Sequence, residues 1–147
     1  NIRSAHNVGS IFRSCDAFLI DEIILCGITA KPPNKEIRKT ALGSTDSVKW
    51  SYFENIQDAI LKLKKEKYQI ISVEQADEST DLKDFKIQSE KKYAIIFGNE
   101  INGVNQKIID ISDDVVEIPQ FGTKHSFNVS VSVGIVIWDF YSKIKTN

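Results

Sequence analysis

The chain has 147 residues, of which 41% are hydrophobic and 27% are charged; these values are typical of one globular domain and exclude disordered, collagen-like and disulfide-stapled classes. Its 19 basic and 20 acidic side chains leave a formal net charge of -1, which gives no overall basic signature of a nucleic-acid binder. No apolar run reaches the roughly 18–20 residues of a membrane span and no signal peptide is visible, so we expect a soluble protein of the cytoplasm.

Short β-rich apolar runs alternate with helical patterns along the chain, which predicts an α/β protein with a mainly parallel sheet flanked by helices. The predicted strands, in chain order, cover residues 22–26, 48–52, 69–73, 93–97 and 115–118. The predicted helices cover residues 8–18, 55–66, 105–111 and 128–144.

The last of these segments carries two conflicting signals. Val129, Val131 and Val133 alternate with polar residues, and Ile135 and Ile137 continue the alternation, as in a half-buried strand. The segment is long for a strand, however, and its length fits a buried helix equally well. The pattern by itself leaves both structures open.

No linker-like stretch, repeat or low-complexity tract divides the chain, so we expect one domain over residues 1–147. The sequence contains no methionine, not even at position 1. We therefore expect that a segment upstream of Asn1 is missing from the sequence as given.

Several common catalytic motifs are absent. All 7 glycines are isolated, so neither the dinucleotide fingerprint GxGxxG nor the phosphate loop GxxxxGK(S/T) is present. HExxH, GxSxG and EF-hand loops are also absent. Cys15 and Cys26 have no CxxC spacing and no histidine cluster nearby, so we expect reduced, partly buried thiols. The sequence gives no support to catalysis by a metal or a serine triad.

A first polar cluster lies in the opening segment NIRSAHNVGSIFRSCDAF. Asn7 precedes an apolar-periodic run and is a candidate N-cap for the helix that follows. Arg13 lies almost two turns further on, and Arg3, Arg13 and Arg38 are the only arginines in the chain. Because the arginine fork suits phosphate and carboxylate better than lysine does, Arg13 is a candidate anion ligand. The alternative for Arg13 is a structural ion pair with a neighbour such as Asp16.

A second cluster, FGNEING, follows the predicted strand YAIIF at residues 97–103. Gly98 and Gly103 allow the backbone to turn sharply and to approach a ligand closely. Glu100 would then lie at the carboxyl end of a strand, where open α/β sheets bind ligands. The alternative is a simple strand-ending turn with an exposed acid.

A third cluster, IPQFGTKHSFNVSVS, occupies residues 118–132. Pro119 ends the predicted strand, and Ser126 and Asn128 offer short polar groups where a helix would begin. His125 is a candidate acid or base, although a lone histidine in a loop is more often simply solvated.

Taken together and in this order, the three clusters resemble the three motifs of the SpoU (also called TrmH) branch of the SPOUT methyltransferases. The matching segments are NVGSIFR at 7–13, FGNEING at 97–103, and a third that runs from Ile-Pro at 118–119 to SFNVS at 126–130. The stretch KTALGS at 39–44 also resembles a connecting segment of the family. The resemblance covers essentially the whole chain, and three ordered motifs are far more specific than one.

The resemblance implies transfer of a methyl group from S-adenosylmethionine to a ribose 2′-hydroxyl in tRNA or rRNA. It also implies a SPOUT fold with a C-terminal trefoil knot, and a homodimer whose active site is completed across the interface, with no metal and no membrane partner. The last motif of the family runs into a C-terminal helix, so we predict a helix over 128–144 in spite of the alternation. Relatives have a β-strand before the first motif and often an N-terminal RNA-binding extension; we expect residues 1–147 to be the catalytic domain without either.

By resemblance, the cofactor pocket is lined mainly by backbone groups of three segments. Phe127 stands where leucine is usual in the family, and it keeps the position apolar. The implied cofactor-binding residues are Val73, Glu74, Gly98, Ile118 and Phe127.

The family assigns the arginine that matches Arg13 either as the base or as the group that holds the phosphate beside the reacting ribose. Because a guanidinium is effectively always protonated in proteins, we favour the positioning role and leave the proton acceptor open. The remaining motif residues are implied to hold Arg13 and to shape the substrate pocket. The implied catalytic set is Arg13, Asn7, Glu100, Ser126 and Asn128.

Two other functions compete with this interpretation. One is a non-catalytic RNA-binding relative with the same fold, against which the intact catalytic set argues. The other is an unrelated α/β protein that binds a small metabolite.

The charge is also uneven along the chain, with 7 basic and 5 acidic side chains in residues 1–50 against 12 and 15 in residues 51–147. All three arginines lie in the basic part, beside the expected RNA pocket.

Overall fold

A computed structural model describes residues 1–124 and 126–146 of the chain. The prediction for His125 lies outside the described residues. In chain order the elements are α1 (Ala5–Ala17), β1 (Glu22–Cys26), α2 (Lys35–Ala41), α3 (Ser44–Ser47), β2 (Lys49–Phe53), α4 (Ile56–Lys65), β3 (Tyr68–Val73), β4 (Thr80–Asp81), a 3-10 turn (Leu82–Asp84), β5 (Lys92–Phe97), α5 (Gln106–Ile111), β6 (Asp114–Glu117) and α6 (Val129–Thr146).

All recorded strand pairings are parallel, which confirms the predicted sheet type. β1 pairs with β2, and the other four strands form a sheet of order β4-β6-β3-β5. Val73 at the end of β3 lies opposite Phe97 of β5 and Val116 of β6. The carboxyl ends of these three strands therefore meet at one edge, and the loops that follow them are brought together there.

Helix α6 explains the conflicting signals of its sequence. Its residues Val129, Val133 and Ile137 are buried in a core shared with α1, α2, β1 and β2. Val136 and Phe140 are buried in a second core over the four-stranded sheet. A helix that buries two faces is apolar nearly all round. Its sequence therefore lacks the apolar stripe of a helix with one buried face, and the strand-like alternation of its apolar residues has no structural meaning. The helix predicted for 128–144 is confirmed.

Helices α1 and α2 pack closely at Gly9. A Cβ atom on Gly9 would lie 2.0 Å from Thr40 Oγ1 and 2.3 Å from the Ile37 carbonyl oxygen. Thr40 Oγ1 donates a hydrogen bond to the His6 carbonyl oxygen at 2.8 Å. The hydroxyl and the missing side chain together fix the position of α1, which carries the first polar cluster.

Cys15 is buried and Cys26 is partly buried, and neither forms a disulfide, as predicted. Burial raises the pKa of the Cys15 thiol to about 12 and also raises that of Cys26. Both thiols are therefore protonated and unreactive near neutral pH.

Among the helices in the described part of the chain, none combines the length and the apolar character needed to cross a membrane.

Candidate active site

A cleft of about 1200 Å³ opens where the loops after β3, β5 and β6 meet. Open parallel sheets bind ligands at this edge. All five residues predicted to bind the cofactor line the cleft, and so do two of the predicted catalytic residues. The seven are Val73, Glu74, Gly98, Ile118 and Phe127, with Glu100 and Ser126.

The loop after β5 depends on two glycines. Gly103 has φ +66, a left-handed conformation that strains most other residues. A Cβ atom on Gly98 would lie 2.2 Å from the Gly103 carbonyl carbon and 2.3 Å from the Val104 nitrogen. Asn99 and Gly103 exchange two backbone hydrogen bonds of 3.1 and 2.9 Å, which close the loop into a tight hairpin.

Glu74 fixes this loop from the neighbouring strand. Its Oε2 accepts a hydrogen bond from the Val104 N–H at 2.9 Å, and its Oε1 accepts one from the Gln75 N–H at 2.9 Å. A Cβ atom on Gly103 would lie 2.1 Å from Glu74 Oε2. The Glu74 carboxylate therefore lines the cleft while it binds two backbone N–H groups of the cleft wall.

Glu100 joins the β5 loop to the start of α1. Its carboxylate accepts hydrogen bonds from the Arg3 N–H at 3.0 and 3.1 Å and from the Ser4 N–H at 3.0 Å. Partial burial acts to raise the pKa of Glu100, but these N–H donors and the Asn7 side chain outweigh it, and the net pKa lies below the ordinary value. Glu100 is therefore held as an anion that anchors α1.

Asn7 does not cap helix α1, so the N-cap prediction is wrong. The helix begins one turn earlier, because the Ser4 side chain accepts a hydrogen bond from the Asn7 N–H at 3.2 Å. With its backbone inside the helix, Asn7 uses its side chain elsewhere. Asn7 Oδ1 accepts a hydrogen bond from Asn128 Nδ2 at 3.1 Å, and its side chain helps to lower the pKa of Glu100.

Asn128 connects this network to helix α6. Its Oδ1 accepts hydrogen bonds from the Ser130 N–H at 2.9 Å and the Val131 N–H at 3.3 Å. These are the bonds that an N-cap residue makes. The first, second and third polar clusters are thus joined through Asn7, Glu100 and Asn128, although these residues lie far apart in the sequence.

Arg13 lies apart from the cleft. It is exposed on α1 and lines a second, smaller depression with Asp16, Leu42, Gly43 and residues of α3. Within residues 1–124 and 126–146, no ion pair of Arg13 is recorded, and the Asp16 carboxylate instead accepts a hydrogen bond from Ser47 Oγ at 2.7 Å. The guanidinium is therefore available to a ligand, but the described chain does not place it beside Gly98 or Phe127.

The sequence pattern of the SpoU rRNA Methylase family matches residues 1–138. The match includes all three polar clusters and nearly the whole fold. The chain belongs to the SpoU rRNA Methylase family. Membership confirms the resemblance inferred from the three motifs.

Two curated relatives show how much of a SpoU protein the chain represents. A tRNA (guanosine(18)-2′-O)-methyltransferase of Aquifex aeolicus is 30% identical over 143 residues, which cover 95% of this chain and 64% of the relative. An uncharacterized tRNA/rRNA methyltransferase of Borreliella burgdorferi is 34% identical over 138 residues, which cover 94% of this chain and 59% of the relative. The chain thus spans about three fifths of the length of these relatives.

Solved structures of SpoU proteins have the same fold. The TrmH/SpoU tRNA modifying enzyme of A. aeolicus superposes with a TM-score of 0.87 at 26% identity, covering 99% of this chain and 73% of that chain. An AdoMet-bound rRNA methyltransferase from Sinorhizobium meliloti gives a TM-score of 0.86 at 26% identity, covering 95% of this chain and 52% of that chain. The α/β fold with parallel strands and flanking helices is therefore that of the SpoU methyltransferases.

Reasoning from the SpoU motifs missed two residues that shape the site. Asn99 Oδ1 accepts hydrogen bonds from the Ile101 and Asn102 N–H groups at 2.8 and 3.2 Å, while its Nδ2 donates to the Asn1 carbonyl oxygen at 2.7 Å. An asparagine in a glycine-flanked turn is a known signal for such bonds. Ser4 is the other, and a serine before a helical run is a common N-cap.

Among the residues that the structure describes, no group of three or more His, Cys, Asp or Glu side chains could hold a metal ion.

Proposed function

We propose that this SpoU protein transfers a methyl group from S-adenosylmethionine to a ribose 2′-hydroxyl of tRNA or rRNA. The observation that carries the proposal is the hydrogen-bonded connection of the three motifs. Asn128 reaches Asn7 across 121 positions of the sequence, and Glu100 reaches Arg3 across 97. The motif side chains thus form one structure at the edge of one cleft.

The cleft residues fit the proposed methyl donor. The absence of a side chain at Gly98 lets the wall of the cleft pack tightly against the backbone of Gly103 and Val104, which shapes a surface that an adenine can approach. Val73, Ile118 and Phe127 supply apolar surface. The cleft lining contains carboxylates and, among the described residues, no lysine or arginine, which suits a ligand that carries positive charge.

We assign the adenosine part of the donor to Val73, Gly98, Ile118 and Phe127. Glu74 has a different part in this proposal, because its carboxylate already binds Val104 and Gln75; it holds the wall in shape. When bound, the donor supplies an electrophilic methyl group on a positively charged sulfur.

The protein must also orient the ribose hydroxyl, which is a poor nucleophile at neutral pH. Ser126 lines the cleft and Asn128 lies at the start of α6. Both residues are exposed and can meet the ribose. The Arg13 guanidinium holds the neighbouring phosphate through its paired N–H donors. Asn7 and Glu100 fix α1 and with it the direction of Arg13.

We further propose that the working unit is a homodimer in which Arg13 of one copy serves the cleft of the other. Support comes from the separation of Arg13 from its own cleft. Helix α6 also presents apolar side chains outward, with Trp138 57% and Val131 48% exposed. Between them, a Cβ atom on Gly134 would meet nothing within 4 Å, which leaves room for a closely packed second helix.

Three narrower proposals accompany this function. Residues 1–147 act as one catalytic domain, and the compact cores shared by α6 and both sheets support this. The C-terminal part is threaded as a trefoil knot, which the likeness to solved SpoU structures supports. The protein acts in the cytoplasm, because tRNA and rRNA are exposed there to a modifying enzyme.

The test is transfer of a labelled methyl group from S-adenosylmethionine to tRNA and rRNA purified from cells that lack the gene. The RNA is then digested to nucleosides, which separates ribose methylation from base methylation. The wild type should produce 2′-O-methylnucleosides, and Arg13→Ala should lower the rate by about 100-fold or more because the phosphate is no longer held. Lys65→Ala, on the exposed face of α4, is the matched control and should keep the wild-type rate.

Equal rates for the wild type and Arg13→Ala would remove Arg13 from the reaction. RNA binding without any transfer would identify the protein as a non-catalytic relative. Failure to bind S-adenosylmethionine at all would contradict the proposed function as a whole.

A further inference from the structure

The cleft concentrates negative charge to a degree that the whole chain does not. Eight of the 20 acidic side chains line it, and no lysine or arginine among the described residues does so. The chain as a whole is nearly neutral, with a net charge of -1. The remainder of the surface is therefore net positive, and the cleft is a local region of negative potential.

The charge in the cleft is not compensated by ion pairs. In the described part of the chain, the acidic side chains within 4.0 Å of a basic side chain include Glu22, Glu66 and Asp139, together with Glu36 and Asp81. None of these five lines the cleft. The ion pairs in the described part of the chain therefore lie outside the cleft.

Four of the eight cleft carboxylates accept hydrogen bonds from other groups of the protein. Glu74, Glu100 and Asp113 accept hydrogen bonds from backbone N–H groups, and Asp110 accepts one from the Gln106 amide at 2.8 Å. The other four form no recorded side-chain hydrogen bond or ion pair with the residues that the structure describes. They are Asp77, Glu78, Asp114 and Glu117.

We propose that these unengaged carboxylates make the cleft distinguish the methyl donor from its demethylated product by charge. The inference rests on the proposed function. In methyl transfer the C–S bond breaks and its electron pair stays on sulfur, the C–O bond forms, and the hydroxyl proton leaves to solvent. The ligand in the cleft thereby loses one positive charge while its size and its adenosine part hardly change.

The consequence is a difference in affinity that depends on salt. A carboxylate in the cleft lining attracts the positive charge of the donor, and the product has lost that charge. The four carboxylates together should favour the donor about three- to tenfold at low ionic strength. Because screening shortens from about 30 Å at 0.01 M to about 8 Å at 0.15 M salt, the preference should shrink as salt is added. Charge loss then weakens the hold on the product and helps its release.

The experiment is calorimetric titration of the wild-type protein with three ligands at about 0.01 M and about 0.3 M salt. The ligands are S-adenosylmethionine, S-adenosylhomocysteine and sinefungin, which carries an ammonium group in place of the sulfonium. The ratio of donor to product affinity should fall at least about threefold between low and high salt, and sinefungin should follow the donor. Equal affinities at both salt concentrations would overturn the inference.

A charge-neutralised variant provides the second arm. Asp77→Asn, Glu78→Gln and Glu117→Gln in one chain remove three unengaged carboxylates and leave the backbone contacts of Glu74 and Glu100 intact. Donor affinity at low salt should fall about three- to tenfold with product affinity unchanged. Glu90→Gln, beyond the amino end of β5, is the matched control and should change neither. Equal weakening of both ligands would show a loss of contacts and contradict charge selection, whereas failure of all three ligands to bind the wild type would contradict the proposed function.

Discussion

At the scale of single residues, the candidate site depends on places where no side chain fits. Gly98 and Gly103 lie against each other in the loop after β5, and the Glu74 carboxylate fills the space beside Gly103. The atoms that a new Cβ at Gly98 would strike belong to backbone, which cannot rotate away. The glycine therefore maintains the shape of the cleft wall.

Substitution of Gly98 should damage both stability and ligand binding. Gly98→Ala forces backbone apart in a closed hairpin, so the free energy of unfolding should fall by about 2 kcal/mol, measured by urea denaturation. Affinity for S-adenosylmethionine should fall with it. Gly122→Ala is the matched control, because a Cβ there would meet nothing within 4 Å. A Gly98→Ala protein with wild-type stability would show that the hairpin is not held as described.

Glu100 links stability to pH in a defined direction. Because its net pKa is lowered in the folded state, its contribution to stability is present above the ordinary glutamate pKa of about 4.3 and is lost as pH falls through the folded value. Glu100→Gln should therefore lower the melting temperature at pH 7, whereas the two proteins should converge as the pH falls below the lowered pKa of Glu100 in the folded state. Parallel melting curves across this range would contradict the anchoring role.

At the scale of elements, α6 holds the molecule together through a charged contact as well as through its two apolar faces. Lys143 Nζ lies 2.6 Å from Asp139 Oδ2, and it donates to the carbonyl oxygens of Leu82 at 2.6 Å and Phe85 at 3.0 Å. The Lys143 and Asp139 side chains are only 24% and 19% exposed. The 3-10 turn after β4 is thus tied to the C-terminal helix.

Removal of this lysine should destabilise the fold. Lys143→Met leaves the Asp139 carboxylate without its ion-pair partner and two carbonyl oxygens without their donor, and the expected loss is about 3 kcal/mol of unfolding free energy. Lys107→Met, on the exposed side of α5, should cost little. Lys143→Met combined with Asp139→Asn should recover part of the loss, and a double variant no better than the single one would contradict the pairing.

The elements that could be predicted from the sequence are those whose apolar residues follow the period of a single strand or of one buried helix face. The five principal strands begin and end within one residue of the predictions, since each is a short apolar run. Helices α2 and α3 were missed because they have 7 and 4 residues and too few apolar positions for a helical period. The helical state of α6 came from the family resemblance, because its two buried faces hide the period.

The residues of the candidate site were predicted by the motifs, but their contacts were not. The sequence placed Gly98 and Glu100 at the end of a strand and the family resemblance added Phe127, and all three residues line one cleft. It could not show that Glu74 is engaged by backbone N–H groups, or that Arg13 lies in another depression. Those facts depend on loop geometry and on how α1 packs against α2, which no short-range pattern encodes.

At the scale of the whole molecule, the proposal of a partner subunit rests on the position of Arg13, which lines a depression separate from the cleft. In a two-fold dimer the same surfaces meet on both copies, so each Arg13 can reach the other cleft. The exposed apolar side chains of α6, led by Trp138 at 57% exposure, are the surface expected to be covered. A complementation experiment tests this arrangement.

Two inactive variants should restore activity to each other. Arg13→Ala removes the phosphate contact, and Phe127→Lys places a positive charge in the wall that receives the cationic donor. Co-expressed with different affinity tags and purified as a heterodimer, they should recover up to about half of the wild-type rate, because one of the two sites contains both native groups. An inactive heterodimer would place Arg13 in the site of its own chain.

The central claim is that this SpoU protein methylates ribose in cellular RNA, and the most direct measurement is ribose-methylation mapping of total RNA from cells with and without the gene. The account predicts that defined 2′-O-methyl positions in tRNA or rRNA are lost without the gene. They should return with the wild-type chain in the context of its full gene, and not with Arg13→Ala. A map that is identical with and without the gene, or a change confined to base methylation, would contradict the account.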